Sequence, residues 1–551
     1  MSFRKAGLVI PILMCISWGL GSAERAKVEL FVMSQCPYGV RALESIKPVI
    51  DKADIDFSLH FIADIDTTLP YGFSSLHGTQ EVEEDMRWLV IMKYYPNKFW
   101  DYFASRATHF SDANWQNDAY IAGINPDTLH MLVETEGASL LRENIKRSHE
   151  LLCDSSPTIY VNGVKYNWDR TAPSLVAVAN RFSTNKVAGI PECFTDNDCF
   201  STDKAQIGKC GSEGKCVFTK AQRTNLIIVR GDTTYTDSVA FLKTVKNFDE
   251  NIPGLQTKIL YYTSDEAKKL KKKLDIKELP AFIFDETIEK SDLFSRMKES
   301  GFLKDKVDKY YRVNPRFIQT EFYTEREAIP RRLDIFLSLD CPAGHSTLVS
   351  FANILNSKAL AKTSQVMRGK KYSLVGLSST PQVASTESSG TTMKGKKYTL
   401  ISSQSTTTPA GTTPTSLPPA VWVHFIPKVD TTTNRFTDRP EIISEMKLLL
   451  TAEKNYPEKF WDFVSCRMES PLGDWQVCAK QAGIPADSLS ALISKEGDNL
   501  LLQDLKVKEA LRIDFSPTFL YENKYRFLST SILQKIDGLE NLNLSLKGGC
   551  R

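Results

Sequence analysis

Val28-Glu29-Leu30-Phe31-Val32-Met33-Ser34-Gln35-Cys36-Pro37-Tyr38-Gly39 is the stretch that decides the fold of this chain. Its first six residues read as an apolar strand and Val40 to Ile50 as a helix, so the Cys-Pro turn joins strand to helix. That puts the Cys36 sulfur at a helix N-terminus, where unpaired backbone N–H groups and the dipole favour a thiolate. Gly39 stands where a second cysteine would complete a redox pair. One-thiol chemistry is expected at this turn, and two-thiol chemistry is not.

Upstream, Arg4 and Lys5 precede an apolar run from Ala6 to Leu20 and the small residues Gly21-Ser22-Ala23. The pattern predicts a secretory signal peptide over 1–23. The run is shorter than the roughly 20 residues of a membrane span and is broken by Pro11. No later stretch is long and apolar enough, so a secreted or periplasmic protein is expected, with no stable membrane insertion after signal cleavage. Such a space is oxidising and favours disulfides among the cysteines that remain once Cys15 has left with the signal. The 69 basic and 66 acidic residues nearly cancel, which leaves no field suited to nucleic acid. With 551 residues the chain exceeds what one core supports, so several domains are expected.

The chain also repeats itself. Lys98-Phe99-Trp100-Asp101 returns as Lys459-Phe460-Trp461-Asp462, Trp115-Gln116 as Trp475-Gln476, Ala122-Gly123-Ile124 as Ala482-Gly483-Ile484, and Ser156-Pro157-Thr158 as Ser516-Pro517-Thr518. The offset holds at 360 or 361, which implies a duplicated domain whose helical region kept its length. Further upstream, Phe61-Ile62 aligns with Phe425-Ile426, but Cys36-Pro37-Tyr38-Gly39 aligns with Cys341-Pro342-Ala343-Gly344 at an offset of only 305. The second copy therefore holds about 59 extra residues after its Cys-Pro turn. Residues 376 to 418 are dominated by Ser, Thr, Pro and Gly, a composition too polar to bury a core. Within the insertion Met367 to Tyr372 recurs as Met393 to Tyr398, a small tandem duplication.

Between the copies the pattern alternates. Asn225 to Val229 reads as a strand, Ser238 to Phe248 as an amphipathic helix, Lys258 to Tyr262 as a strand and Ser264 to Leu274 as a charged helix. Leu279-Pro280 then leads into the apolar Ala281-Phe282-Ile283-Phe284, an α/β pattern without a cysteine.

A Cys-Pro-x-x turn after a first strand, followed later by a proline-led strand, resembles the thioredoxin fold. The outer copies resemble its DsbA branch, because helical blocks at 72–152 and 436–512 stand where that branch inserts a helical subdomain. The resemblance implies a cis proline beside the active-site sulfur at Pro157, Pro280 and Pro517. The expected architecture is α/β, with three thioredoxin-like domains, the first and third carrying helical insertions, plus a small disulfide-rich module. The boundaries are a DsbA-like domain at 24–185, a four-cysteine module at 190–218, a cysteine-free thioredoxin-like domain at 222–318, and a degenerate DsbA-like domain at 331–551 with an insertion at about 357–420. All three domains depart from the family pattern. Gly39 and Gly344 replace the resolving cysteine, and the Asp232 to Asp237 turn has no cysteine at all.

The cysteines divide by context. Cys36 is the candidate nucleophile, with Pro37, Tyr38, Gly39 and Pro157 shaping its site; the competing reading is a relic turn in a binding domain. Cys341, with Pro342, Gly344 and Pro517, forms a degenerate site. Cys153 lies four residues before Pro157 and is either an unusual resolving cysteine or a buried free thiol. Cys466 and Cys478 flank Trp475 and read as a structural disulfide. Cys193, Cys199, Cys210 and Cys216 read as a two-disulfide module with three possible connectivities, the interleaved one preferred; zinc is the alternative. Cys550 has no evident partner. His77 could face the active-site groove, and His345 could tune Cys341. No cofactor motif or metal-spaced histidine cluster stands out.

Thiol–disulfide exchange on protein clients through Cys36, isomerase-like and needing one cysteine, is the expected activity. Its partners would be protein thiols or unfolded polypeptides, with a redox partner protein as a further candidate. The alternative is a non-catalytic, chaperone-like peptide-binding scaffold.

Overall fold

The computed structural model describes residues 25–67, 69–355, 418–430, 435–469 and 473–542. The segment expected to be a signal peptide, nearly all of the 357–420 insertion, Cys15 and Cys550 lie outside them. The chain divides into two compact units, one within Met1–Arg223 plus Asn247–Gly254 and the other within Thr224–Lys246 plus Leu255–Arg551.

The first unit is built on β1 (Ala26–Val32), whose Val28, Leu30 and Val32 are fully buried. The following helix α1 (Pro37–Lys52) begins three residues earlier than the periodicity implies. Proline suits the first helical position because its N–H would have no partner there and its φ is already helical. Val40, Leu43, Ile46 and Val49 are spaced to bury one face of α1 against the sheet. Strand β2 (Ile55–Phe61) runs parallel to β1, a helical block containing α2 (Thr79–Tyr94) follows, and β3 (Thr158–Val161) and β4 (Val164–Lys165) complete the sheet in the order β2-β1-β3-β4. Helix α3 (Ala172–Phe182) packs beside α1. Beyond it β5 (Gln206–Cys210) and β6 (Cys216–Lys220) form a hairpin. Disulfides Cys193–Cys210 and Cys199–Cys216 staple it. Three of these sulfurs lie within 4.8 Å of one another, but as disulfides they offer no thiolate to a metal.

From Thr224 the chain forms β7 (Thr224–Arg230), α4 (Ser238–Asn251), β8 (Leu255–Tyr261) and α5 (Asp265–Lys273). The two-residue β9 (Glu278–Leu279) precedes β10 (Ala281–Asp285) and β11 (Tyr310–Arg312), giving a second sheet ordered β8-β7-β10-β11. A connecting strand, β12 (Phe322–Tyr323), leads to β13 (Arg332–Leu337), α6 (Pro342–Leu355), β14 (Ala420–Phe425), α7 (Pro440–Asn455), α8 (Ala486–Leu511), β15 (Thr518–Tyr521) and β16 (Tyr525–Phe527). The third sheet is ordered β9-β12-β16-β15-β13-β14. The Cys466–Cys478 disulfide lies in its helical block.

Registers align the three sheets residue by residue. The first strand of each pairs in parallel with the second at Val32↔Phe61, Arg230↔Tyr261 and Leu337↔Phe425. It pairs antiparallel with the proline-led strand at Phe31↔Thr158, Val229↔Ala281 and Phe336↔Thr518. Ser156, Leu279 and Ser516 are therefore equivalent, as are Met33, Gly231 and Ser338. The Ser156-Pro157, Leu279-Pro280 and Ser516-Pro517 bonds are cis. In the third sheet His424 sits fully buried between Asp334 (Nε2 to Oδ1, 3.0 Å) and Asp504 (Nδ1 to Oδ1, 2.9 Å). Arg332 donates twice to Asp334 at 2.8 Å. Burial alone would raise the Asp334 carboxyl, but Arg332 and His424 outweigh it and hold that carboxyl below its usual range.

Candidate functional site

Cys36 caps the N-terminus of α1. Its N–H donates to Met33 O at 3.1 Å and its C=O accepts from Val40 N at 3.0 Å, so the turn is fixed from both sides. The sulfur is a free thiol 3.6 Å from Ser156 O, directly ahead of Pro157, and the residue is 8% exposed. Tyr38 is 54% exposed, with the Arg170 guanidinium 5.3 Å from its ring centroid, and forms an aromatic rim beside the buried sulfur.

Gly39 is required by its surroundings. A Cβ there would lie 2.6 Å from Ser156 Oγ and 3.1 Å from Met33 O. Ser156 Oγ is not free to swing away, because it accepts from Met33 N at 2.9 Å. The third sheet repeats the device: Ser338 N donates to Ser516 Oγ at 2.8 Å, and a Cβ on Gly344 would meet Ser338 O at 2.3 Å and Ser516 Oγ at 3.0 Å. In both copies the serine before the proline occupies the space a second cysteine would need.

Cys153 is a half-buried free thiol that packs against the apolar cluster formed by Phe31, Met33, Cys36, Ile62 and Tyr160. Burial pushes its pKa up, partly offset by hydrogen bonds from Thr158 and Ser155. Cys341 is 1% exposed, with Sγ 3.8 Å from Ser516 O. It is disulfide-bonded, so this copy presents no free thiol. His345 lies one turn along α6, its N–H donating to Cys341 O at 3.0 Å.

Two carboxylates that the sequence reading passed over support the turn. Gln35 N donates to Glu81 Oε1 at 2.9 Å, Ser34 N donates to Asp85 Oδ1 at 3.1 Å, and both acids, on α2, are fully buried. His77 reaches the site through them, its Nδ1 lying 2.8 Å from Glu81 Oε1. Burial, then the neighbouring Glu81, push the Asp85 carboxyl well above its ordinary value. The signal was present: Glu81, Asp85 and Trp88 share one helical face by their spacing, so two acids lie on the stripe that carries a core tryptophan.

No protein-family model and no curated protein matches the chain. Solved structures do. The match is to thioredoxin-fold proteins of the DsbA type. Oxidised BdbD from Bacillus subtilis is 21% identical over 27% of this chain and 81% of its own, with a TM-score of 0.23. Reduced DsbA from Mycobacterium tuberculosis is 16% identical over 30% of this chain and 85% of its own, with a TM-score of 0.22. DsbG from the same organism is 18% identical over 30% of this chain and 80% of its own, with a TM-score of 0.22. The chemistry rests on this chain's own residues. Among the described residues no helix is long and apolar enough to cross a membrane.

Proposed function

We propose that this protein catalyses thiol–disulfide exchange on polypeptide clients outside the cytoplasm, through Cys36 as a single nucleophile. The shared strand order supports reading the chain as three thioredoxin-like domains around a disulfide module, with the first domain as the working one. The observation that carries the proposal is the Cys36 site itself: a free sulfur at a helix N-terminus, beside Ser156-Pro157, where Gly39 leaves no room for a second cysteine.

In the exchange the Cys36 thiolate attacks a client disulfide. A Cys36–client bond forms, one client sulfur leaves as thiolate, and attack by a client thiolate on the mixed disulfide releases Cys36 unchanged. Electrons balance within the client, so no external oxidant or reductant is consumed. The competing resolving route would run through Cys153: its thiolate would attack the mixed disulfide, releasing reduced client and leaving Cys36–Cys153 oxidised, a state that then needs an external thiol reductant.

Refolding of a scrambled disulfide substrate tests the proposal. Cys36→Ser abolishes activity and Cys153→Ser preserves it if exchange is monothiol; loss in both variants points to the resolving route. A second reading, a peptide-binding scaffold, is favoured by the low exposure of Cys36 and the sealed Cys341. It requires that Cys36→Ser still suppress client aggregation while isomerisation is absent in the wild type.

A further inference from the structure

The strand edge just ahead of the proline has different neighbours in the three sheets. In the first, no described strand pairs with residues 154–156, and Asp154 and Ser155 are exposed. In the third, no described strand pairs with Asp514 to Ser516. In the second the edge is filled by the chain itself. The segment between the second and third sheets runs antiparallel to β9, pairing Glu278↔Tyr323 and Leu279↔Phe322. Glu321 N donates to Leu279 O at 2.7 Å and Thr324 N to Lys277 O at 2.9 Å. Thr320 Oγ1 adds a bond to Glu278 Oε2 at 3.2 Å.

The side chains are as engaged as the backbone. Thr320, Glu321, Phe322 and Tyr323 are all buried. Phe322 packs against Tyr262 and Tyr525, with ring centroids 5.1 and 5.3 Å away. It also lies against Gly231, where a Cβ would fall 2.7 Å from Phe322 Cβ. Gly231 is the residue equivalent to Met33, at the mouth of the turn that in the first sheet bears Cys36. An extended segment with an aromatic anchor over that turn, hydrogen-bonded to a free strand edge, is the general mode of β-strand addition.

We propose that Thr320–Thr324 is a built-in ligand of the second sheet, occupying the edge ahead of Pro280 and closing it to other extended chains. The occupant that would compete has the same chemistry: an extended peptide with an aromatic residue at the position of Phe322. Because the segment also pairs with β16 at Phe322↔Tyr525, it ties the second sheet to the third while it blocks the edge.

The test uses the full chain and a fluorescein-labelled synthetic peptide of residues 318–326, with binding read by anisotropy and segment opening by amide exchange. Two variants unseat the segment: Phe322→Gln removes the anchor, and Gly231→Ala displaces it while leaving the segment's sequence intact. The expected result is protected Glu321 and Thr324 amides and no saturable peptide binding in the wild type. In either variant exchange at both amides should be about tenfold faster; in Phe322→Gln the peptide should bind saturably, at least about tenfold more tightly than to wild type, whereas in Gly231→Ala the new methyl excludes the aromatic ring of segment and peptide alike and no binding is expected. A Phe322→Gln variant that retains its circular dichroism but binds no better than wild type overturns the proposal, as do wild-type amides that exchange at unprotected rates. Phe322→Leu is the milder change and carries the peptide-binding test if Phe322→Gln fails to fold. None of these readouts involves Cys36, so their failure leaves the exchange proposal standing.

Discussion

Gly39→Ala tests whether the one-thiol site is imposed by its neighbour. The new methyl group would lie 2.6 Å from Ser156 Oγ, well inside contact distance. Relief requires Ser156 to turn away from Met33 N, forfeiting a hydrogen bond of about 1 kcal/mol. Residual crowding against Met33 O and Val32 Cβ, at 3.1 and 3.3 Å, adds overpacking strain of about 1–3 kcal/mol. Alanine returns at most about 1 kcal/mol through helix propensity. The net cost is about 1–3 kcal/mol. With Ser156→Ala the oxygen is gone and only the crowding against Met33 O and Val32 Cβ remains, so Gly39→Ala should then cost about 1 kcal/mol less. The double-mutant cycle should therefore show coupling of at least about 1 kcal/mol. A chain with several cores does not unfold in two states, so native-state exchange of the α1 amides is the suitable assay. Equal costs of Gly39→Ala in both backgrounds would refute the steric argument. The functional corollary is that Gly39→Cys does not create a dithiol site while Ser156 is in place.

Two further outcomes follow from buried charge. Burial pushes the Glu321 carboxyl up to about 7, with Arg230 pulling it down and Asp237 pushing it up. Stability from the protonated form is full below the ordinary glutamate value and is lost as pH rises towards 7, a cost of about 3 kcal/mol above it. Glu321→Gln should remove that slope, so exchange at the Thr324 amide becomes nearly independent of pH after correction for intrinsic rates; an unchanged slope counts against the assignment. In the third sheet, His424→Leu leaves Asp334 and Asp504 facing each other without the ring between them. It should destabilise β13 and β14 by about 3–5 kcal/mol in amide exchange, and Asp504→Leu should recover part of the loss. A cost below about 1 kcal/mol would show the cluster to be dispensable. Asp334, held below its usual range, contributes stability that is complete above the unfolded carboxylate value and is lost only as acid titrates it.

Local sequence made much of this legible. The Cys-Pro turn, the proline-led strands and the long repeat are carried by residues close to one another or at a fixed offset, and Leu337↔Phe425 reproduces Val32↔Phe61 across the insertion. What escaped depends on contacts distant in sequence. Gly39 reads as a missing cysteine, but the reason it stays glycine is Ser156, on another strand. Glu81 and Asp85 resemble ordinary helix-surface acids until α2 is laid under the Ser34-Gln35 turn. Phe322-Tyr323 is too short for periodicity to register, and its partners, β9 and β16, are far from each other in sequence.

The central claim is that one sulfur does the exchange. The most direct measurement mixes the full protein with a scrambled disulfide substrate, quenches in acid, blocks free thiols and maps the client-linked cysteine by mass spectrometry. A Cys36–client disulfide that accumulates when client thiols are blocked, and that Cys36→Ser abolishes, is the predicted result. Client linked at Cys153 alone, or no mixed disulfide while isomerisation proceeds, would contradict it.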